Sequence, residues 1–519
     1  MIIIDPVALG EVSFSRPSPK LVYDRTGALV QVPANTFALT YDPSDLNKPP
    51  YPVIELEAAT NLTLWGEQIS HAHWTKRGAV AVTQDHAVAP DGTTSMELVA
   101  NVGVAGVNDY YNEEFSIAAA GVRFEPSFFI KRGSLSGHLG VNHSSGGTYG
   151  QWVVDLAKLS NNTERITRDH PAVTINAEFV TSPGMNSGLH FFSFTGDPLF
   201  YHHWGIQTEV GTRSTSYMKC TYAWTYATRA ADVLGSTAGL VFSNVPEPEP
   251  LWVQGTYGLG AKVRDASHIV FESLVAANTA PLTDPTKWLK LGASNRWAML
   301  DDRNNTQTTN PEEIVLVLSP KAISRGLYLG NLDAAEVLVS MFYPMRGVVH
   351  GEVSNLIVST SGGSFFRWCF NRIRRRSYFL TLKLPVFANP LVTVVIRKPG
   401  GEARCGMCML GPVVDVGLSH YGLSTELKDF SSTIFNPDGT SNTIVRGYAK
   451  RMSVDVSVRN EMVDAIEEQL ISYRQKNVVW VGATMYGSAM LCGKYGSLKK
   501  VIESFPFSKM ALQIEGVVS

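Results

Sequence analysis

Cysteines, paired histidines, scattered acids and large aromatics are the residues of this chain with the means to do chemistry. Cys405 and Cys408 form a C-x-x-C, and Cys369 and Cys492 would complete a set of four. Thiolates at that spacing suit a tetrahedral Zn²⁺ or an iron–sulfur cluster. Only one close pair exists, so the competing reading is reduced thiols packed as small apolar side chains. His71 and His73 share a face if they lie on a strand, a workable two-ligand geometry, and His202-His203 is a second pair; solvent-facing or hydrogen-bonded imidazole is the plainer reading of both. Asp155, Glu209 and Asp232 are the acids to examine for hydrolysis, which needs two carboxylates about 5 to 10 Å apart, a separation that sequence does not supply. The chain has no G-x-S-x-G elbow, no Walker loop and no H-E-x-x-H, which favours a protein that is not an enzyme. Trp252, Tyr257, Trp288, Tyr110, Tyr111 and Trp152 are the aromatic candidates for stacking on the C–H face of a sugar, against the alternative that each ring is core.

The elements that must position these residues are mainly β. From Ile54 to about Gly239 the sequence runs in short apolar stretches (AVAVT, SMELVAN, RFEPSFFIKRG, QWVVDLA, LHFFSFTG, FYHHWGIQTEV) separated by turn clusters. That rhythm predicts an antiparallel sandwich. Eight prolines before residue 53 exclude continuous helix there, and Asp24-Arg25-Thr26-Gly27 predicts a turn between two short strands. Such an arm has too little apolar surface to fold alone, so it is expected to lie on a neighbouring domain or subunit. Val245-Pro-Glu-Pro-Glu-Pro250 reads as a stiff linker. Strand-like runs resume after Asn295, with Pro399-Gly400-Gly401 as a turn. NEMVDAIEEQLISYRQ is the one convincing helix, with Asn460 as its N-cap and a stripe of Met462, Val463, Ile466, Leu470 and Tyr473. NVVWVGA follows as a buried strand.

The whole chain sets outer limits. Its 519 residues are too many for one core, and 44% apolar content is ordinary for a globular protein. A formal charge of −2 argues against a nucleic-acid binder. No apolar run approaches the roughly 18 residues of a membrane span, so no membrane insertion is expected. Five cysteines, odd in number, fit assembly in a reducing compartment better than a disulfide framework.

Thr60-Asn61-Leu62 and Arg229-Ala230-Ala231-Asp232 bracket a stretch about as long as one sandwich. This pair of tags resembles the opening and closing segments of the jelly-roll, carbohydrate-binding-module-like domain of bacteriophage tail and fibre proteins. In a jelly roll the first and last strands are neighbours, so the two tags are expected to meet. Between 251 and 292 the order Trp252, Tyr257-x-x-Gly260, Val263, Phe271, Pro285, Trp288 resembles small chitin-binding-like β-modules, with Ala261 departing from the acid usual there. The resemblance implies an extended N-terminal arm (1–53), a jelly-roll carbohydrate-binding-like domain (54–244), a small chitin-binding-like β-module (245–292), a second β-sandwich (293–393) and a C-terminal α+β domain (394–519). It further implies a structural component of a phage tail (fibre, tail tip or baseplate) that mediates or supports attachment to host-surface glycans. Its partners would be other phage tail proteins, host-surface polysaccharide and copies of itself, a trimer being favoured. It would reside in the virion after assembly in the host cytoplasm. A structural Ca²⁺ is also implied, since such sugar modules often hold one. A purely structural tail connector and a polysaccharide-depolymerising enzyme are the competing functions.

Overall fold

In the computed structural model the alternating runs become strands throughout, and one α-helix, Val463–Ser472, occurs among the described residues. The description covers every residue except 93–94, 102–109, 116–120, 136, 144–149, 182–186, 220–225, 345, 359–373, 436–439, 503–505 and 519. The chain is mainly β, with tandem β-sandwiches. It divides into two units, one of residues 13–235 and the other of 1–12 together with 236–519.

The 13–235 unit is a sandwich of two antiparallel sheets. One has five strands, in the order Val80–Val88, Ser95–Asn101, Leu199–Val210, Phe124–Leu135 and Thr163–Ile166. The other has six: Val173–Ala177, Gln151–Asp155, His138–His143, Ser187–Ser193, Tyr110–Phe115 and Thr75–Arg77. Alternate residues of both sheets meet between them, among them Tyr111, Phe124, Phe128, Trp152, Leu189, Phe191 and Tyr201, with Trp74 added from the bend before Thr75. The opening and closing tags do meet. Ala59–Asn61 pairs antiparallel with Ala227–Arg229, bringing Thr60 opposite Thr228. Asn61, fully buried, accepts hydrogen bonds from the Thr63 and Thr208 amides and donates to the Met218 carbonyl.

From Ser13 onward the expected arm lies on this sandwich, as its poverty in apolar surface requires, whereas residues 1–12 belong to the other unit. Lys20–Tyr23 and Leu29–Val32 form a hairpin whose turn places Gly27 at φ +82° and ties the Thr26 amide to Asp24. Leu29, with Leu21 and Tyr23, packs on Met96, Phe129, Trp204 and Tyr217, which form a second apolar layer on the far side of the five-stranded sheet. Lys20, with its ammonium group buried, pairs with Asp232 and Glu55, and Arg229 also reaches Glu55 at 3.0 Å. Thus the arm, Glu55 and the closing tag are tied together by one buried ionic cluster, and residues 13–53 are part of the sandwich unit.

The other unit begins with strand Ile2–Ile4, which pairs with Val413–Asp415 on one side and Val478–Val481 on the other. Gly10–Glu11 then runs parallel to Gly239–Ser243. A second sandwich is built from that pair, Thr308–Ser319, Leu391–Cys405, Glu336–Tyr343 and Gly347–Asn355, against a three-stranded sheet of Tyr378–Thr381, Gly326–Gly330 and Met407–Gly411. The expected boundary at 393/394 falls inside the Leu391–Cys405 strand. Pro399-Gly400-Gly401 is not a turn ending a strand but part of a bulge within one. Pairing passes from Glu402 opposite Pro311 to Arg397 opposite Glu313, with Gly400 at φ +70°. The 245–292 module folds as three short strands, Lys262–Arg264, Ile269–Ser273 and Trp288–Ala293.

The closing α+β region carries an eight-stranded sheet covered by the helix through Val463, Ile466, Leu470 and Tyr473. Met462 is 54% exposed and leaves the stripe. Asn460 does not cap the helix. It sits one short turn earlier, and its side chain accepts a hydrogen bond from Ser508.

Candidate functional site

The sequence-predicted aromatics divide by burial. Trp152 and Tyr111 are core residues of the sandwich, 0% and 1% exposed, and the Tyr111 hydroxyl bonds Tyr201 and His203. Trp288 is the core of the small module, 2% exposed, its indole donating to the Ala280 carbonyl and its ring meeting Tyr257 edge-on at 5.4 Å. None of these three offers a free face, so the expectation that they stack on a sugar is corrected. A large ring is the most effective filler of a small core, and that use wins. Trp252 and Tyr257 are half-buried; the Tyr257 hydroxyl is spent on the Val253 carbonyl. Tyr110 lies on a strand of the six-stranded sheet, paired with Phe192 and Arg77.

The metal candidates disperse likewise. Cys405 and Cys408 belong to the second sandwich's core and Cys492 to another apolar cluster, while Cys369 lies outside the described residues. Burial pushes the Cys405 and Cys492 thiols up to about 12 and raises Cys408 well above its ordinary value, as expected of thiols packed among apolar side chains. The Cys405 thiol donates to the Met407 carbonyl at 3.3 Å. No group of three or more His, Cys, Asp or Glu residues that could hold a metal ion occurs among the described residues. His71 lies in a turn, not a strand, stacked 3.9 Å over Trp65, and His73 pairs with Glu113. His202 meets His86 at 3.0 Å, and His203 points into the core. The three acids are structural: Asp155 caps a short turn, Glu209 is buried against Thr215 and Gln207, and Asp232 holds Lys20 and the Glu55 amide.

A site that sequence reading missed lies across the outer face of the six-stranded sheet. Register puts Thr75 opposite Asn112, Asn112 opposite His190, His190 opposite Asn142, and Asn142 opposite Gln151. Asn176, at a register shift in the last strand, follows. All six strands thus contribute one polar side chain to a single transverse row. The amides are linked: Asn176 Nδ2 donates to Gln151 Oε1 at 2.8 Å, and Gln151 Nε2 donates to Asn142 Oδ1 at 3.0 Å. In the middle of the row Asn112 is 7% exposed, and its Oδ1 is buried with no hydrogen-bond partner among the described residues. A buried acceptor left bare costs of order 1–3 kcal/mol, which a ligand hydroxyl would recover.

One step along the strands the face changes character. Phe192 lies over Gly140, where a Cβ would come within 2.4 Å of its ring, and Val153 is the next strand's counterpart. Phe194, 40% exposed, continues the strip 6.3 Å from Phe192. Arg77 and Glu114 flank His190, whose pKa is lowered chiefly by burial, with Glu114 opposing and Arg77 adding to the shift. A neutral imidazole there can both donate and accept. A line of amides beside an apolar strip matches a molecule with hydroxyls on its edges and C–H groups on its faces.

No family model matches the chain, and no curated protein does. Among solved structures, it is similar to a family 11 carbohydrate-binding module of Clostridium thermocellum in complex with a mixed-linked tetrasaccharide: 13% identity, 30% of this chain, 97% of that one, TM-score 0.21. A tandem pair of family 22 carbohydrate-binding modules of Paenibacillus barcinonensis matches at 10% identity over 68% of this chain and 98% of that one, TM-score 0.20. An arabinose-bound arabinofuranosidase matches at 13% identity over 40% of this chain and 31% of that one, TM-score 0.21. At TM-scores of this size the likenesses bear no weight on ligand or site, and what stands is a mainly β chain of tandem sandwiches.

Proposed function

We propose that this chain is a binding protein of a bacteriophage tail, a fibre, tail-tip or baseplate component, and that its 13–235 sandwich holds a host-surface polysaccharide on the outer face of the six-stranded sheet. The tail assignment rests on the Thr60-Asn61-Leu62 and Arg229-to-Asp232 tags. The binding assignment is carried by the transverse row with its bare, buried Asn112 acceptor. Six strands at about 4.8 Å spacing make that row roughly 24 Å long, enough for several rings of an extended glycan. Its amides, imidazole and hydroxyl are neutral groups that hold hydroxyls in place, which favours retention over cleavage. Several copies in one virion, with other tail proteins as neighbours, would turn weak contacts into firm attachment.

The test is binding of the purified protein to a panel of soluble glucans, xylans and extracted host-surface polysaccharide. Asn142→Ala and Gln151→Ala each remove a hydrogen-bonding group and should weaken binding about fivefold. Trp252→Ala should leave it unchanged. Retention by both row variants together with loss in Trp252→Ala would move the site to the small module. Release of new reducing ends from any of these polysaccharides would replace the adhesin reading with a depolymerase.

A further inference from the structure

The eight-stranded sheet of the C-terminal region ends in an open edge. Ser424–Asp429 pairs with Tyr448–Arg459 on one side, and no described strand pairs with the other. The strand is exposed along almost its whole length, with Leu427 at 65%. Open edges invite pairing with another chain, and charged residues usually guard against it. Here the charges alternate in sign, Glu426 before Lys428, with Leu427 between them. Glu426 makes no ion pair among the described residues. Lys428 shares Glu515 with Arg451, at 3.4 and 3.2 Å, all three side chains being well exposed. Arg451 keeps Glu515 paired if Lys428 turns away, and such surface pairs hold a side chain only weakly.

We propose that this edge joins a second copy of the chain about a two-fold axis through Leu427, making one continuous sheet across two subunits. Antiparallel pairing of a strand with its own copy sets residue i opposite a residue an even number of places away. Centring on Leu427 places Glu426 opposite Lys428 of the second copy, twice, and Leu427 against Leu427. Centring one residue either way sets Glu426 against Glu426 or Lys428 against Lys428. Cross-strand opposite charges attract and like charges repel, so the sequence selects one register. The contact is isologous and closes as a dimer, and it does not depend on the sugar-binding reading.

The full chain is measured by sedimentation over micromolar concentrations. Wild type should be a dimer. Glu426→Lys and Lys428→Glu should each raise its dissociation constant about tenfold or more, because each sets like charges opposite one another at two places. Mixing the two single variants should restore wild-type association, since one then presents lysine at both charged positions and the other presents glutamate at both. As a second measurement, Leu427→Cys should cross-link under mild oxidation, the paired Cα atoms lying about 4.5–5.5 Å apart, while Thr425→Cys should not. A monomeric wild type, a trimer indifferent to both charge changes, or equal cross-linking at 425 and 427 overturns the proposal.

Discussion

On the five-stranded sheet of the 13–235 sandwich the outward positions hold Met96, Phe129 and Trp204; on the six-stranded sheet they hold Asn112, His190, Asn142 and Gln151. Both sheets keep the same inward set of aromatic and branched residues, and both obey the same two-residue alternation. The outward choice decides what each face takes as its cover. The apolar face takes the protein's own arm, through Leu21, Tyr23 and Leu29, and becomes a second core. The polar face belongs to none of the apolar clusters, and its middle acceptor has no partner among the described residues. One face is committed to folding, while the other keeps a polar row in which Asn112 and Asn142 are buried and His190 and Gln151 half-buried.

The largest effect should therefore come from the covered face. Trp204 is 0% exposed and packs on Phe129 and Tyr217 with ring centroids 5.2 and 5.0 Å apart. Trp204→Ala should cost about 3–5 kcal/mol of the unit's stability, measured by urea unfolding, because it opens a cavity under the arm. Asn142→Ala on the other face should cost about 1 kcal/mol or less. Equal costs at the two positions would break the comparison.

An intermediate effect concerns the interior that both faces share. Burial holds the His203 imidazole down at about 3, against an ordinary value of 6.5, with Tyr111 and Tyr201 beside it. The unfolded chain takes up that proton first. Stability is then complete above pH 6.5 and falls by up to about 1.4 kcal/mol per pH unit as the pH drops from there toward 3. Urea midpoints at pH 7, 5 and 4 measure the slope. His203→Gln, which cannot take up a proton, should flatten it by about one proton's worth whatever it does to stability at pH 7. An unchanged slope would mean the core proton uptake lies elsewhere, for example at His143, lowered to about 4.

Much of this arrangement was legible in the residues, though unevenly. Alternation and turn chemistry give the strands and the Asp24–Gly27 hairpin, because each depends on neighbours in sequence. The meeting of the two tags follows from sandwich closure. The helix at 463–472 announces itself by period. What local pattern cannot carry is pairing across long separations. Ile2–Ile4 joins Val478–Val481, and Gly10 joins Gly239, with no mark at either end of the chain. The polar row fails to show for the same reason: Asn112, His190, Asn142 and Gln151 are unremarkable one at a time and become a site only when register aligns them. Conversely, Trp152, Tyr111 and Trp288 look like platforms because ring size is visible in sequence and burial is not. The signal that would have found the row is an amide or imidazole recurring at outward positions of strands whose inward positions are aromatic.

The smallest effect tests whether the row acts as one line or as separate contacts. Asn176 ends it, exposed, and donates to Gln151, which in turn donates to Asn142. If the amides work as a chain, Asn176 orients Gln151 without being desolvated itself. Asn176→Ala should then weaken glycan binding by about two- to threefold, less than the fivefold of Asn142→Ala, because a solvated hydrogen bond contributes at the low end of the usual range. In the double variant Asn176→Ala/Gln151→Ala the two losses should not add, since removing Gln151 already removes what Asn176 orients. Strict additivity, read by calorimetry on whichever polysaccharide wild type binds, would show that Asn176 touches the ligand on its own account and that the row extends past the last strand.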